Sequence, residues 1–160
     1  MIDLKIKLNI NGKVRTADID ASDRLIDVLR DKFGLVSVKE GCGVGECGAC
    51  TILMAGEAVC SCVVPAFQAD GHDIVTVEGL EMNGELDLIQ QSFIDCDAVQ
   101  CGFCTPGMIM SAKALLLKNP SPSRDEIRTA LAGNICRCTG YTQIVDAVET
   151  AAERIRRPDR

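Results

Sequence analysis

A chain of 160 residues with 47% hydrophobic and 25% charged side chains has the composition of a folded globular protein, long enough for one ordinary domain or two small ones. A net charge of -6 argues against nucleic acid, which selects basic patches. No apolar run reaches membrane-spanning length and no basic-then-apolar leader opens the chain, so the expectation is a cytoplasmic protein without a membrane partner.

Leu4, Ile6, Leu8 and Ile10 alternate with polar residues at the period of a half-buried strand. Asn11-Gly12 is a two-residue hairpin signal and predicts a returning strand over 13–18. Ser22 or Asp23 is expected to cap a helix through Leu25, Ile26, Val28 and Leu29, with Gly34 as its stop. A glycine-rich loop spans 40–50, and strands are predicted over 51–54, 58–64 and 74–77. Two strands, a helix and more strands describe a ubiquitin-like β-grasp domain over 1–79.

Composition changes after Gly79. EMNGE (81–85) reads as a linker, and the remainder as helical. A helix is predicted from 86 to 93, and a second is capped by Thr105, started by Pro106 and ended at Asn119-Pro120. Ser123 and Glu126 form a capping box for a third, ending near Gly133; the fourth covers 141–157, with Ile144, Val145, Val148 and Ala152 on one face. Four helices predict a bundle over 80–160.

Ten cysteines against one histidine, His72, strain or exclude CxxCH haem attachment, Rieske centres and mixed cysteine–histidine zinc fingers. Without a secretory signal, thiolate ligation of metal is preferred over disulfides. GCGVGECGAC gives Cys42, Cys47 and Cys50 the C-x4-C-x2-C spacing of plant-type 2Fe-2S ferredoxins, which take a fourth cysteine further on. Its glycines let the backbone wrap and aim N–H groups at sulfur. The fourth ligand is Cys60 or Cys62, and spacing does not choose, because both would lie on one face of a strand.

CGFC and CRC fall just before the second and fourth predicted helices, where N–H groups favour thiolate charge. Cys101, Cys104, Cys136 and Cys138 make a four-thiolate set; closing CRC as a disulfide would strain its geometry. Cys96, Cys101 and Cys104 repeat C-x4-C-x2-C, but DCDAVQCGFC lacks the glycines of the first loop and Cys96 falls at a helix end. A four-cysteine zinc site would use the same atoms. A thioredoxin-like use of CGFC fits less well, since a redox dithiol would not need CRC.

GCGVGECGAC, QCGFCTPGMIM and LAGNICRCTGY, in this order, resemble the iron–sulfur subunit of the xanthine dehydrogenase and aldehyde oxidoreductase family of molybdenum hydroxylases, over nearly the whole chain. The resemblance implies an α+β protein: a β-grasp plant-type 2Fe-2S ferredoxin domain followed by a four-helix-bundle 2Fe-2S domain. It implies Cys42, Cys47, Cys50 and Cys62 as ligands of one cluster and Cys101, Cys104, Cys136 and Cys138 as ligands of the other. Cys60 and Cys96 are then left as small buried hydrophobes.

The same resemblance implies that Gln100 hydrogen-bonds, and Cys138 contacts, a molybdopterin held by a large partner subunit. FAD would sit on a medium subunit, in a heterotrimer or a dimer of heterotrimers of the bacterial three-subunit form. The chain has no nucleotide loop, flavin motif or acid–base pair, so catalytic residues are expected on another chain and electron transfer on this one. Xanthine or a related purine is the expected substrate type. The rival readings are a free-standing two-cluster ferredoxin, against which the apolar MIMSAKALLL helix argues, and a zinc-stabilised interaction module. Tyr141 and the other aromatics are expected in the core.

Overall fold

In the computed structural model, which describes residues 3–157, the expected hairpin forms from β1 (Asp3–Ile10) and β2 (Lys13–Asp20), with Ile10 opposite Lys13 beside the Asn11-Gly12 turn. The sheet is completed by β3 (Thr51–Met54), β4 (Glu57–Cys60) and β5 (Asp73–Val75), in the order β2-β1-β5-β3-β4. Among the described residues only the β1–β5 pairing is parallel. Ile6, Leu8 and Ile10 bury one face of the sheet against Leu25, Ile26, Val28 and Leu29 of a helix that begins as α1 (Leu25–Asp27) and continues as a π turn (Val28–Lys32). This is the α-on-sheet arrangement of a β-grasp.

The helical half contains α2 (Leu88–Asp95), α3 (Thr105–Lys118), α4 (Arg124–Leu131) and α5 (Thr142–Arg156). Their core gathers Ile89, Phe93, Met108, Ile127, Ile144 and Val148. Leu53 joins this second core while its neighbour Ile52 joins the first, so β3 serves both, one side chain to each face. The apolar helix held to argue against a free-standing ferredoxin is mostly core: Met108, Ile109, Met110 and Ala112 are buried within the chain itself.

Several local expectations are corrected. Arg24, not Ser22 or Asp23, precedes α1, because the Asp23 carboxylate turns back to accept the Asp20 N–H (3.1 Å) and Ser22 is held by Asp20 (2.9 Å). The strand expected over 58–64 ends at Cys60, and 61–63 curl into a 3-10 turn. Ser61 fastens the curl to the loop: its N–H and its hydroxyl both donate to the Cys50 carbonyl, at 3.3 and 2.9 Å. The strand expected over 74–77 runs Asp73–Val75 and gives way to another 3-10 turn. Cys104 rather than Thr105 occupies the cap position of α3. The capping box of Ser123 and Glu126 forms as expected, and a second joins Asp87 to Gln90 at the start of α2.

Candidate metal centres

The first loop is pinned at its start by Arg24, whose guanidinium donates to Asp27 (2.8 Å) and to Glu40 (2.6 Å). From there the backbone turns its N–H groups onto sulfur. Val44 and Glu46 donate to Cys42 Sγ at 3.4 and 3.2 Å, and Gly45 donates to Cys62 Sγ at 3.3 Å. The Val44 amide foremost, with those of Cys47 and Glu46, draws the Cys42 thiol down to about 6. Burial, with the neighbouring Cys50, pushes Cys62 up to about 11. Low-pKa thiols of this kind are ready metal ligands, while the buried ones give up their proton only to the metal.

The break after Cys60 sets the two sulfurs in different surroundings. Cys62 accepts the Gly45 N–H at 3.3 Å, whereas Cys60 points its S–H at the Gly45 carbonyl 3.7 Å away. Cys60 and Cys96 are half-buried rather than enclosed. Cys96 caps the end of α2 with its sulfur 3.5 Å from Thr150 Oγ1 on α5, occupied by the bundle.

Cys138 Sγ stands 3.7 Å from Cys101 Sγ. Cys104 faces Cys136, and burial followed by that neighbour pushes the Cys104 thiol up to about 12. Burial also opposes charge on Cys136, but the Thr139 hydroxyl (3.1 Å) and the Thr139 and Cys138 amides (3.4 Å each) prevail and bring it down to about 7. A cavity of about 180 Å³ lies among Cys101, Cys104, Cys136 and Cys138, walled by Phe103 and Ile135. Among the described residues no three cysteine, histidine or acidic side chains converge on one point in the manner of a single-ion site. Sulfurs standing in pairs, with no histidine or carboxylate among them, are the donor chemistry that an iron–sulfur cluster requires.

Tyr141 is not in the core. It is 38% exposed, adopts φ 70° at the start of α5, and its hydroxyl accepts the Cys136 N–H at 2.8 Å. Sequence reasoning also missed the seam between the two sites. Ile135 N–H donates to the Cys47 carbonyl (2.9 Å), joining the residue before Cys136 directly to a cysteine of the first loop. Buried Asn134 donates to the Gly48 carbonyl (3.0 Å), and α3 approaches the same carbonyl at Gly107. The only signal in the sequence was the proximity of Asn134 to CRC. Gln100 is exposed between the exposed Val99 and Cys101, and Phe103 and Ile135, which wall the cavity at Cys101, are exposed as well.

A two-domain protein with thiolate sites of this kind is an iron–sulfur electron carrier, and comparison with known proteins agrees. Residues 8–76 match the family described as "2Fe-2S iron-sulfur cluster binding domain" and residues 76–149 the one described as "[2Fe-2S] binding domain". The chain is 53% identical over 151 residues to the nicotinate dehydrogenase small FeS subunit of Eubacterium barkeri, covering 94% of this chain and 96% of that one. It is 48% identical to the xanthine dehydrogenase iron-sulfur-binding subunit of Escherichia coli O157:H7, covering 91% and 92%. Among solved structures, quinoline 2-oxidoreductase from Pseudomonas putida 86 superposes with a TM-score of 0.93 at 46% identity, covering 99% of both chains. The chain belongs to the iron–sulfur subunits of the xanthine dehydrogenase family, and carries two 2Fe-2S clusters as part of an oxidoreductase.

Proposed function

We propose that this chain relays single electrons, inside a cytoplasmic molybdenum hydroxylase, from a molybdopterin centre on a large subunit to FAD on a medium subunit. Cys101, Cys104, Cys136 and Cys138 hold the cluster nearer the pterin, and Cys42, Cys47, Cys50 and Cys62 the cluster nearer the flavin. Residues 1–79 and 80–160 are the two domains. The observation that carries this reading is the 2.9 Å hydrogen bond from Ile135 to the Cys47 carbonyl, which links the two cysteine sets through one short covalent and hydrogen-bonded route. A free carrier needs no such coupling between its clusters; a relay does.

Molybdopterin, when bound by the large subunit, supplies the two-electron oxidation of substrate. The exposed Gln100 amide and the exposed Cys138 sulfur of this chain orient and contact it. Beside relatives named for aldehydes, several are named for nitrogen heteroaromatic substrates, namely nicotinate, xanthine and quinoline. We assign the complex to that class, of which the expected purine is one member. A heterotrimer, or a dimer of heterotrimers, accommodates the three cofactor types.

The chain purified aerobically is expected to be red-brown and to hold about four irons, with matching acid-labile sulfide. Stoichiometric zinc, or one cluster's iron after anaerobic reconstitution, would overturn the assignment. In the assembled complex, nicotinate or xanthine added without oxygen should bleach both clusters, the C-terminal one first. Bleaching in the reverse order would invert the proposed direction.

Gln100→Ala is expected to leave both clusters assembled while slowing their reduction by substrate or weakening hold on the large subunit. Truncating an amide that the complex would bury against a pterin nitrogen costs about 1 kcal/mol or somewhat more, mostly through the partner left unpaired. Rapid-mixing reduction of each cluster reads this directly. Parental rates together with parental subunit affinity would make Gln100 a surface amide.

A further inference from the structure

The segment from Cys136 to Tyr141 closes on itself through a circuit of hydrogen bonds. Cys136 N–H donates to the Tyr141 hydroxyl at 2.8 Å, and Tyr141 N–H donates to Thr139 Oγ1 at 3.3 Å. Thr139 Oγ1 stands 3.1 Å from Cys136 Sγ, and the Thr139 amide reaches the same sulfur at 3.4 Å. The direction of the last hydroxyl bond follows from its partners. Oγ1 already receives the Tyr141 N–H on one lone pair, and a ligand thiolate has no proton to give, so the Thr139 O–H points to sulfur.

Keeping this circuit closed requires Tyr141 at φ 70°, a left-handed conformation that a bulky side chain rarely adopts. Strain of that kind persists where the surroundings over-determine it, and here both ends of Tyr141, its amide and its hydroxyl, are fastened to the Cys136 loop. The Thr139 hydroxyl reaches its ligand sulfur at 3.1 Å, closer than the amides that serve Cys42 and Cys62 in the first loop.

We infer that Thr139, held by Tyr141, is a positioning residue that sets the reduction potential of the C-terminal cluster above the value its thiolates alone would give. The physical basis is that reduction adds negative charge to the cluster, and a donor aimed at a ligand sulfur stabilises the reduced state more than the oxidised one. Hydrogen bonds polarised in a chain strengthen one another, so the Tyr141 amide adds to the effect of the hydroxyl it fixes. The consequence is a C-terminal cluster better able to take the first electron. This inference rests on Cys136 being a cluster ligand.

Thr139→Val keeps the shape of the side chain and removes the donor. In an anaerobic redox titration followed by EPR, the C-terminal cluster of Thr139→Val should hold its electron about tenfold less tightly, a shift of about 59 mV downward for one electron. The N-terminal cluster should stay at its parental potential, and Thr139→Ser should restore the C-terminal value. An unchanged potential in Thr139→Val, or an equal fall in Thr139→Ser, overturns the inference.

Cys136→Ser separates this from the ligand assignment. If that variant keeps an unaltered C-terminal cluster, the assignment fails; if the cluster is lost, Cys136 stands and the Thr139 result is judged alone. Should Thr139→Val not assemble its cluster, the parent protein still decides. Its reduced C-terminal cluster must show a strongly coupled, solvent-exchangeable hydroxyl proton beyond those of the two amides, and the absence of that proton overturns the inference.

Discussion

Gly107→Ala is expected to lower the thermal midpoint of the holoprotein by several degrees and to weaken the magnetic coupling between its two reduced clusters. In an ordinary helix the same change would stabilise by about 0.5 to 1 kcal/mol, because glycine is a poor helix former. Here the new Cβ would lie 2.2 Å from the Gly48 carbonyl oxygen and 3.2 Å from Ala49 Cα, which is backbone rather than a yielding side chain. Neither side can retreat easily. The Gly48 carbonyl already accepts from Asn134 and from Thr51, and the buried face of α3 shares a core with Leu53 on the strand that follows. Overpacking of this sort costs about 1 to 3 kcal/mol.

Because the clash sits between Cys50 and Cys104, its relief must move one cysteine set relative to the other, and the cluster-to-cluster coupling should register that displacement. Gly133→Ala is the control, since its Cβ would meet nothing within 4 Å. Its thermal midpoint and EPR relaxation should match the parent. Equal behaviour of the two variants would mean that the seam yields freely and does not hold the clusters in register.

What the sequence made legible was local. The Asn11-Gly12 hairpin and the Ser123–Glu126 capping box each rest on residues within a few positions of one another, so their chemistry is visible in one short window. The cysteine spacings were legible for the same reason. What stayed hidden depends on partners far along the chain. Asn134 and Gly48 are 86 positions apart, and nothing near either residue announces the other.

The break after Cys60 was hidden differently. Val59, Val63 and Val64 favour a continuing strand, and a buried serine bonded twice to the Cys50 carbonyl overrides them. Tyr141 shows a third kind of concealment. One aromatic in an otherwise helical stretch reads as core, whereas its hydroxyl is spent on the Cys136 amide.

The cysteine series is the most severe test of the two sites. Cys136→Ser and Cys62→Ser are each expected to remove one cluster, leaving roughly half the parental iron and visible absorbance, because a serine oxygen is a harder donor than the thiolate it replaces. Cys60→Ser and Cys96→Ser should retain both clusters. The reasoning for Cys96 is geometric as well as numerical: its sulfur is committed to Thr150 on α5, while Cys101 pairs with Cys138 at 3.7 Å. For Cys60 it is chemical, since its S–H donates to the Gly45 carbonyl and the adjacent Gly45 N–H serves Cys62 instead. Iron and sulfide content with the EPR signal of each reduced variant would decide. Loss of a cluster in Cys96→Ser with retention in Cys136→Ser would make the repeated C-x4-C-x2-C spacing the true ligand set, and CRC would then need another purpose.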